Sequence, residues 1–449
     1  MRAIRRFTAA ALAIPVAVTM LTGYAGAAGT VQVISTDPLT GTTGQHQTEV
    51  EPDTFASGST IVSAFQVGRI YNGGAAAVGW ALSTDGGANW SHGLLPGLTQ
   101  AAPSPGPYSR ATDPSVAYDA AHGQWLIATL VMSGTSGVGV AVNRSSNGST
   151  WGNSILAASK GANLDKDWVV CDNTSTSPYF GHCYIEYDAN GNGDLIYNAT
   201  STDGGSTWST PVATTDSAHG IGGQPLVRAD GIVIVPIDNA AETGLLAYRS
   251  TDGGQTWGPT TKVATFLHHR VHANIRDGNL PSAEIDGNGT VYVVWEDCRF
   301  RTNCSSNDIV VATSSNGLTW SGPVRVPIDP TTSTVDHFIP GIGVDSSTSG
   351  ASVNVSLTYY FFPVANCSAS NCALQVGQIS SSSGLSGWGA PTTLTSSPMK
   401  GRWLAKTNQG RMLGDYISTS YVSGHPIAAF PIATAPDSLF HESMAAGGA

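Results

Sequence analysis

Arginine and histidine are scarce in this chain and unevenly spread. Of its 449 residues only 11% are charged, with 20 Lys plus Arg against 31 Asp plus Glu, and there are 11 His. Yet His268-His269-Arg270-Val271-His272-Ala273-Asn274-Ile275-Arg276-Asp277 packs imidazoles and guanidiniums together, with Glu296, Asp297 and Arg299 close behind. A guanidinium stays charged and binds a carboxylate with two parallel hydrogen bonds, so converging arginines suit a carboxylate-bearing ligand. An imidazole titrates near neutrality and suits proton transfer. Arg69, Arg110, Arg276, Arg299 and Arg411, with Asp167, Trp168 and His337, are the candidate ligand contacts. The competing reading is local ion pairing, for example Arg110 with Asp113 or Arg276 with Asp277.

Metal chemistry has weaker support. His268, His269 and His272 fall in a stretch that reads as a loop and not as the helix on which a zincin spaces its ligands, so no metal ligand is assigned. Asp188-Ala189-Asn190-Gly191-Asn192-Gly193-Asp194 opens like a calcium loop, but Ala199 stands where the last acidic ligand belongs. A glycine-rich turn explains that stretch equally well. No cofactor is assigned, and calcium stays open.

Side chains so far apart in sequence need a scaffold that gathers them, and the chain advertises one. Ser201-Thr202-Asp203-Gly204-Gly205-Ser206-Thr207-Trp208 recurs at Ser83 to Trp90 and at Ser250 to Trp257, with shorter copies ending at Trp151 and Trp320 and a worn one at Trp388. An Asp or Asn oxygen can accept from turn N–H groups, Gly supplies positive φ, and Trp buries a large ring beside the next strand. A second element precedes each copy, a short polar or proline-containing run that turns apolar: Glu51-Pro52-Asp53, Asp113-Pro114-Ser115, Asp167-Trp168-Val169, Gln224-Pro225-Leu226, Leu280-Pro281-Ser282 and Ile339-Pro340-Gly341. A last such run, Asp415-Tyr416-Ile417, has no turn copy after it. The period of roughly 60 residues fits a four-stranded blade with loops.

These turns match the Asp-box motif, and the chain resembles the sialidase-like β-propeller superfamily. The resemblance implies an all-β fold of four-stranded blades. Seven are favoured over six, with Val31-Gln32-Val33-Ile34 supplying the last outer strand and closing the ring. Up-and-down strand order then puts the blade-to-blade loops and the loops joining second to third strands on one face, opposite the boxes, and the site is expected there. Within that family an arginine triad holds the substrate carboxylate and a Tyr paired with Glu is the nucleophile. Carried over, this implies Tyr416 with Glu51 or Glu284, and Arg69, Arg276 and Arg411. The stretch Asp165 to Asn173 is similar to secreted propeller lyases that cleave rhamnose from glucuronate, which implies His46 or His272 as base and Arg276 or Arg110 as the neutralising cation.

Residues 1–27 read as a secretory leader, with Arg2, Arg5 and Arg6 before the apolar run Ala9 to Leu21 and a small-residue cleavage site at Ala25-Gly26-Ala27. The propeller is expected over 28–440 and a disordered tail over 441–449. Six cysteines in three close pairs, 171/183, 298/304 and 367/372, suit local disulfides in an exported protein, although sequence alone permits other connectivities. A net charge of −11 disfavours nucleic acid, and no later segment is apolar enough to span a membrane. The expectation is a secreted monomer acting on an acidic glycan: a sialidase-like exo-glycoside hydrolase, with a lyase acting by β-elimination or a non-catalytic glycan binder as alternatives.

Overall fold

A computed structural model describes residues 31–41, 44–364 and 367–449. The leader expected at 1–27 lies outside the described residues. The fold is all-β, apart from four short 3₁₀ turns among the described residues. Its sheets are antiparallel meanders of four strands. One starts with Glu49–Ser57, Thr60–Arg69, Ala75–Ser83 and Ser91–Leu94. The next, Arg110–Asp119 through Ile155–Ala158, touches it through a single pair, Ala75 opposite Ala111, and so the two count as one eight-stranded sheet. Five separate sheets of four or five strands follow, giving a β-propeller of four-stranded blades.

Sheets packed face to face bury their middle strands on both sides. Thr60–Arg69 and Gln124–Ser133 are buried along nearly their whole length, so the sequence reads Ile-Val-Ser-Ala-Phe and Trp-Leu-Ile-Ala instead of alternating. The boxes fasten these packed sheets. In the copy at Asp203, one carboxylate oxygen accepts from the backbone N–H of Ser206 (3.0 Å) and Thr207 (2.9 Å), and the other accepts from the Thr207 hydroxyl (2.7 Å). Gly204 and Gly205 hold φ of 69° and 76°. Trp257 of another copy is fully buried edge-on to Tyr184 of the preceding sheet and Tyr248 of its own.

The first and last strands of the described residues pair as expected, with Gln32–Val33 antiparallel to Glu442–Gly447. That pairing corrects the expected disordered tail. Glu442–Gly447 is a largely buried strand hydrogen-bonded on its other side to His425–Ala433, because Met444, Ala445 and Ala446 fill the core between sheets. All three local disulfides are formed: Cys171–Cys183, Cys298–Cys304 and Cys367–Cys372. No helix among the described residues is long and apolar enough to cross a membrane.

Candidate functional site

The inner strands share an irregularity that decides where charge goes. Pairing between the first and second strands slips at Val50/Asp53, Thr112/Ser115, Asp165/Asp167 and Phe338/Gly341. Each slip holds a non-glycine residue with positive φ: Glu51 at 60°, Asp113 at 49°, Lys166 at 37° and Ile339 at 48°. Such bulges re-aim a side chain, and left-handed backbone at non-glycine residues is concentrated at functional sites. Here they drive Glu51, Asp113 and Lys166 to one point.

That point floors a cleft of about 390 Å³ on the face away from the boxes, bordered by Asn72, Asn163, Asn190, Asn408 and Gln409. Lys166 Nζ sits 3.0 Å from Glu51 Oε1, 2.7 Å from Asp113 Oδ1 and 2.7 Å from Asp415 Oδ2. Arg276 Nη2 also reaches Asp415 Oδ2. Arg69 Nη1 donates to Gln66 Oε1 at 3.0 Å, while its Nε, buried, has no hydrogen-bond partner among the described residues. Three cations and three carboxylates, Glu51, Asp113 and Asp165, thus line one floor, and Asp415 is tied to it through Lys166 and Arg276.

Their protonation is split. Burial pushes Glu51 up to about 7, with the Lys166 cation only partly offsetting it. Burial would also raise Asp415, but Arg276 and Lys166 outweigh it and hold that carboxyl below its ordinary range. Burial alone would lower Lys166, yet Asp113, Asp415 and Glu51 hold its pKa well above the usual value. Two carboxyls with opposite shifts around one cation are the pattern of an acid and an ionised partner. Since both touch Lys166 Nζ, their oxygens lie no more than about 6 Å apart.

Glu51, Arg69 and Arg276 therefore converge, and Arg110 stands at the rim, donating to Asn72 Oδ1 (2.7 Å) and the Gly73 carbonyl (2.8 Å). Other expectations need correction. Arg411 contributes backbone instead of its guanidinium: its carbonyl accepts from Arg276 N–H (2.7 Å), while its Nη1 turns to the Leu404 carbonyl (2.8 Å). The Tyr416 hydroxyl is buried and donates to the Pro114 carbonyl at 3.0 Å, away from the cleft, and burial raises its pKa well above the usual phenol value.

Trp168 packs edge-on to Tyr416 at 5.1 Å and lines a separate cavity of about 420 Å³ with Asp53, Glu284 and Ser418. Asp167 is buried without a partner for either oxygen among the described residues. Arg299 closes on Asp297 of its own sheet, the local pairing that competed with a ligand role. His337 is buried against Tyr359, His46 bonds Asp37 (3.3 Å), and His272 lies beside His269, ring centres 5.9 Å apart. None of these three lines the cleft. The turn at Asp188 to Asp194 closes on itself, with Asn190 Nδ2 donating to Asp194 Oδ1 at 2.9 Å.

Lys166, Asp113, Asp165 and Asp415 fall in the loops that the sequence assigns to the site face, but sequence reasoning gave none of them a catalytic or binding role. A signal existed: Glu51 and Asp113 each stand immediately before the repeated proline.

An all-β propeller with Asp-box turns and a charged axial cleft is the class the fold and site define. Residues 132–339, a little under half of the chain, match the model for the BNR repeat-like domain. That match and the repeated boxes are consistent with the resemblance to sialidase-like BNR β-propellers. No curated protein matches the sequence. Among solved structures the chain is similar to a protein of unknown function from Dyadobacter fermentans (15% identity, 78% of this chain and 98% of that chain, TM-score 0.49). It is also similar to the intramolecular trans-sialidase of Ruminococcus gnavus (12%, 87% and 91%, 0.44). A third similar structure is the α-L-arabinofuranosidase Arb93A of Fusarium graminearum (10%, 94% and 97%, 0.48).

Proposed function

We propose that this protein is a secreted glycoside hydrolase that removes a terminal acidic sugar from a glycan or polysaccharide. The observation that carries the reading is the cleft floor, where Glu51 and Asp415, shifted in opposite directions, share Lys166 beside Arg69 and Arg276. Arg69 and Arg276 hold the substrate carboxylate, and the unpartnered Arg69 Nε offers a donor for it. Glu51 protonates the leaving oxygen, and Asp415, ionised throughout, stabilises positive charge at the sugar carbon or attacks it. The scaffold is read as a ring of seven blades. The single Ala75–Ala111 pair supports counting the eight-stranded sheet as two. The leader-like residues 1–27 and the three disulfides support secretion.

The orientation of the Tyr416 hydroxyl favours a second reading, because a Tyr/Glu nucleophile couple is not assembled. In that reading the cations neutralise a uronate carboxylate, a floor carboxylate takes the proton from the carbon beside it, and the C–O bond breaks by β-elimination as the leaving oxygen takes up a proton. Incubation with sialosides and with a glucuronate-rich gum, followed by mass and ultraviolet analysis, tests both. Added water marks hydrolysis, and an unsaturated uronate absorbing in the ultraviolet marks elimination. Binding to a glycan array with neither product leaves a non-catalytic lectin-like propeller and defeats both enzymatic readings.

A further inference from the structure

Outside the cleft, three side chains converge on one point without satisfying one another. His268 Nε2 lies 3.0 Å from Asp277 Oδ2 and 3.0 Å from Glu296 Oε1. Neither contact has hydrogen-bond geometry at the imidazole: His268 Nε2 and Glu296 Oε1 are both buried atoms without a hydrogen-bond partner among the described residues. Glu296 is 1% exposed, so its Oε1 is removed from bulk solvent. Asp238, also buried and with both oxygens unpartnered, is near enough to act electrostatically on His268.

A second group, Asp308, Asp329 and His337, shows what the first lacks. There Arg301 bonds both Asp308 and Asp329, and Arg325 adds a contact to each, so the negative charge is already matched within the protein. Asp277 and Glu296 have no Lys or Arg within ion-pair distance among the described residues. Buried carboxylates are ordinarily paired or bound to metal.

We propose that His268, Asp277 and Glu296 form a binding site for a divalent first-row cation of the zinc or manganese class. Separations near 3 Å between ligand atoms are what a cation about 2.1 Å from each imposes, and an imidazole nitrogen in the set favours such an ion over calcium or magnesium. The outer contacts are in place. The backbone N–H of Val271 donates to Asp277 Oδ2 at 3.0 Å, and that of Ile339 donates to Glu296 Oε2 at 3.2 Å. Such contacts orient ligands and tune affinity. Three protein ligands leave further coordination positions for water.

The site has a structural consequence. Glu296 lies on the strand Val291–Asp297, whereas His268 and Asp277 lie on the long connection between the strands Thr261–Thr265 and Ser282–Ile285. Asp277 directly follows Arg276, which reaches into the cleft. A cation here ties the connection to the sheet and fixes the segment that presents Arg276.

The test uses tag-free, chelator-stripped full-length mature protein, titrated with ZnCl₂ and MnCl₂ by calorimetry, with elemental analysis after dialysis. The readout is independent of any glycan activity. One ion per chain with Kd below about 1 μM is expected, weakened at least about 100-fold in both His268→Ala and Glu296→Gln. Near-UV circular dichroism identifies a variant that has not folded, and Glu296→Gln preserves shape where His268→Ala does not. Bound zinc should slow hydrogen exchange across 266–281 in the wild type and not in Glu296→Gln. Stoichiometric binding that survives both substitutions, or no binding tighter than millimolar, overturns the proposal and leaves an imidazolium held between two carboxylates.

Discussion

Glu51 carries the sharpest chemical expectation. It is wholly buried, its backbone is left-handed, and its Oε1 is held by Lys166 while its carboxyl is pushed up to about 7. A general acid must be protonated to act, so turnover should be level below pH 7 and fall about tenfold per pH unit above it. Glu51→Gln keeps the shape, removes the proton and should lower kcat by about 10² to 10⁴. A profile flat to pH 9 would remove Glu51 from that role. Tyr416→Phe separates two mechanisms. Its hydroxyl serves Pro114 in the structure, so the variant should keep kcat within about tenfold. Complete loss would restore Tyr416 as the nucleophile, reached by a movement that frees its hydroxyl. At this scale the sequence was legible only by residue type. Nothing in the string distinguishes Arg276, whose guanidinium reaches the cleft, from Arg411, whose carbonyl pairs with Arg276 and whose guanidinium turns to Leu404. That choice is made by a parallel bridge between segments far apart in the chain.

The box turns are the elements whose meaning the sequence carried in full, because each is a local device. Gly254 illustrates the constraint. Its φ is 83°, and a Cβ there would lie 2.2 Å from Thr200 Oγ1 and 2.9 Å from the Tyr184 ring of the preceding sheet. Gly254→Ala combines backbone strain with overpacking and should cost about 2 to 4 kcal/mol, read as a lower urea midpoint with unchanged slope. A change under about 0.5 kcal/mol would show that this turn does not fasten one sheet to the next. The bulges were not legible in the same way. A one-residue slip leaves the apolar pattern of the inner strand almost intact while turning Glu51, Asp113 and Lys166 to the axis, so the pattern that reveals the strand hides the irregularity. The proline after Glu51 and Asp113 marks the place, but Lys166 is followed by Asp167, and nothing local announces that it joins them.

For the molecule as a whole, the scaffold that gathers cations on its axis also buries acids. Burial pushes Glu49 and Glu186 up to about 8, Asp53 to about 7 and Asp238 to about 8. A bond from Ser35 only partly offsets the shift at Glu49, and Glu186 and Asp238 have no hydrogen-bond partner at either carboxylate oxygen among the described residues. Each group binds its proton more tightly folded than unfolded. Between pH 4.5 and 8 the native state therefore holds more protons than the unfolded chain, and stability must fall as pH rises through that window. The contribution is full below the unfolded pKa and is lost as pH passes the folded one. Neutral media should thus be less favourable to this fold than mildly acidic ones, with Tm dropping by at least about 5 °C from pH 5 to pH 8. Glu186→Gln removes one of these protons from the balance and should flatten the slope, while Asp85→Asn, in an exposed box whose carboxyl is held down to about 2 by Asn89, should leave it unchanged over the same range. Scanning calorimetry at pH 5, 6, 7 and 8 measures all three. A Tm that rises with pH would mean that these carboxyls are ionised and paired in solution, and that the propeller's interior is wetter and more polar than its packing implies.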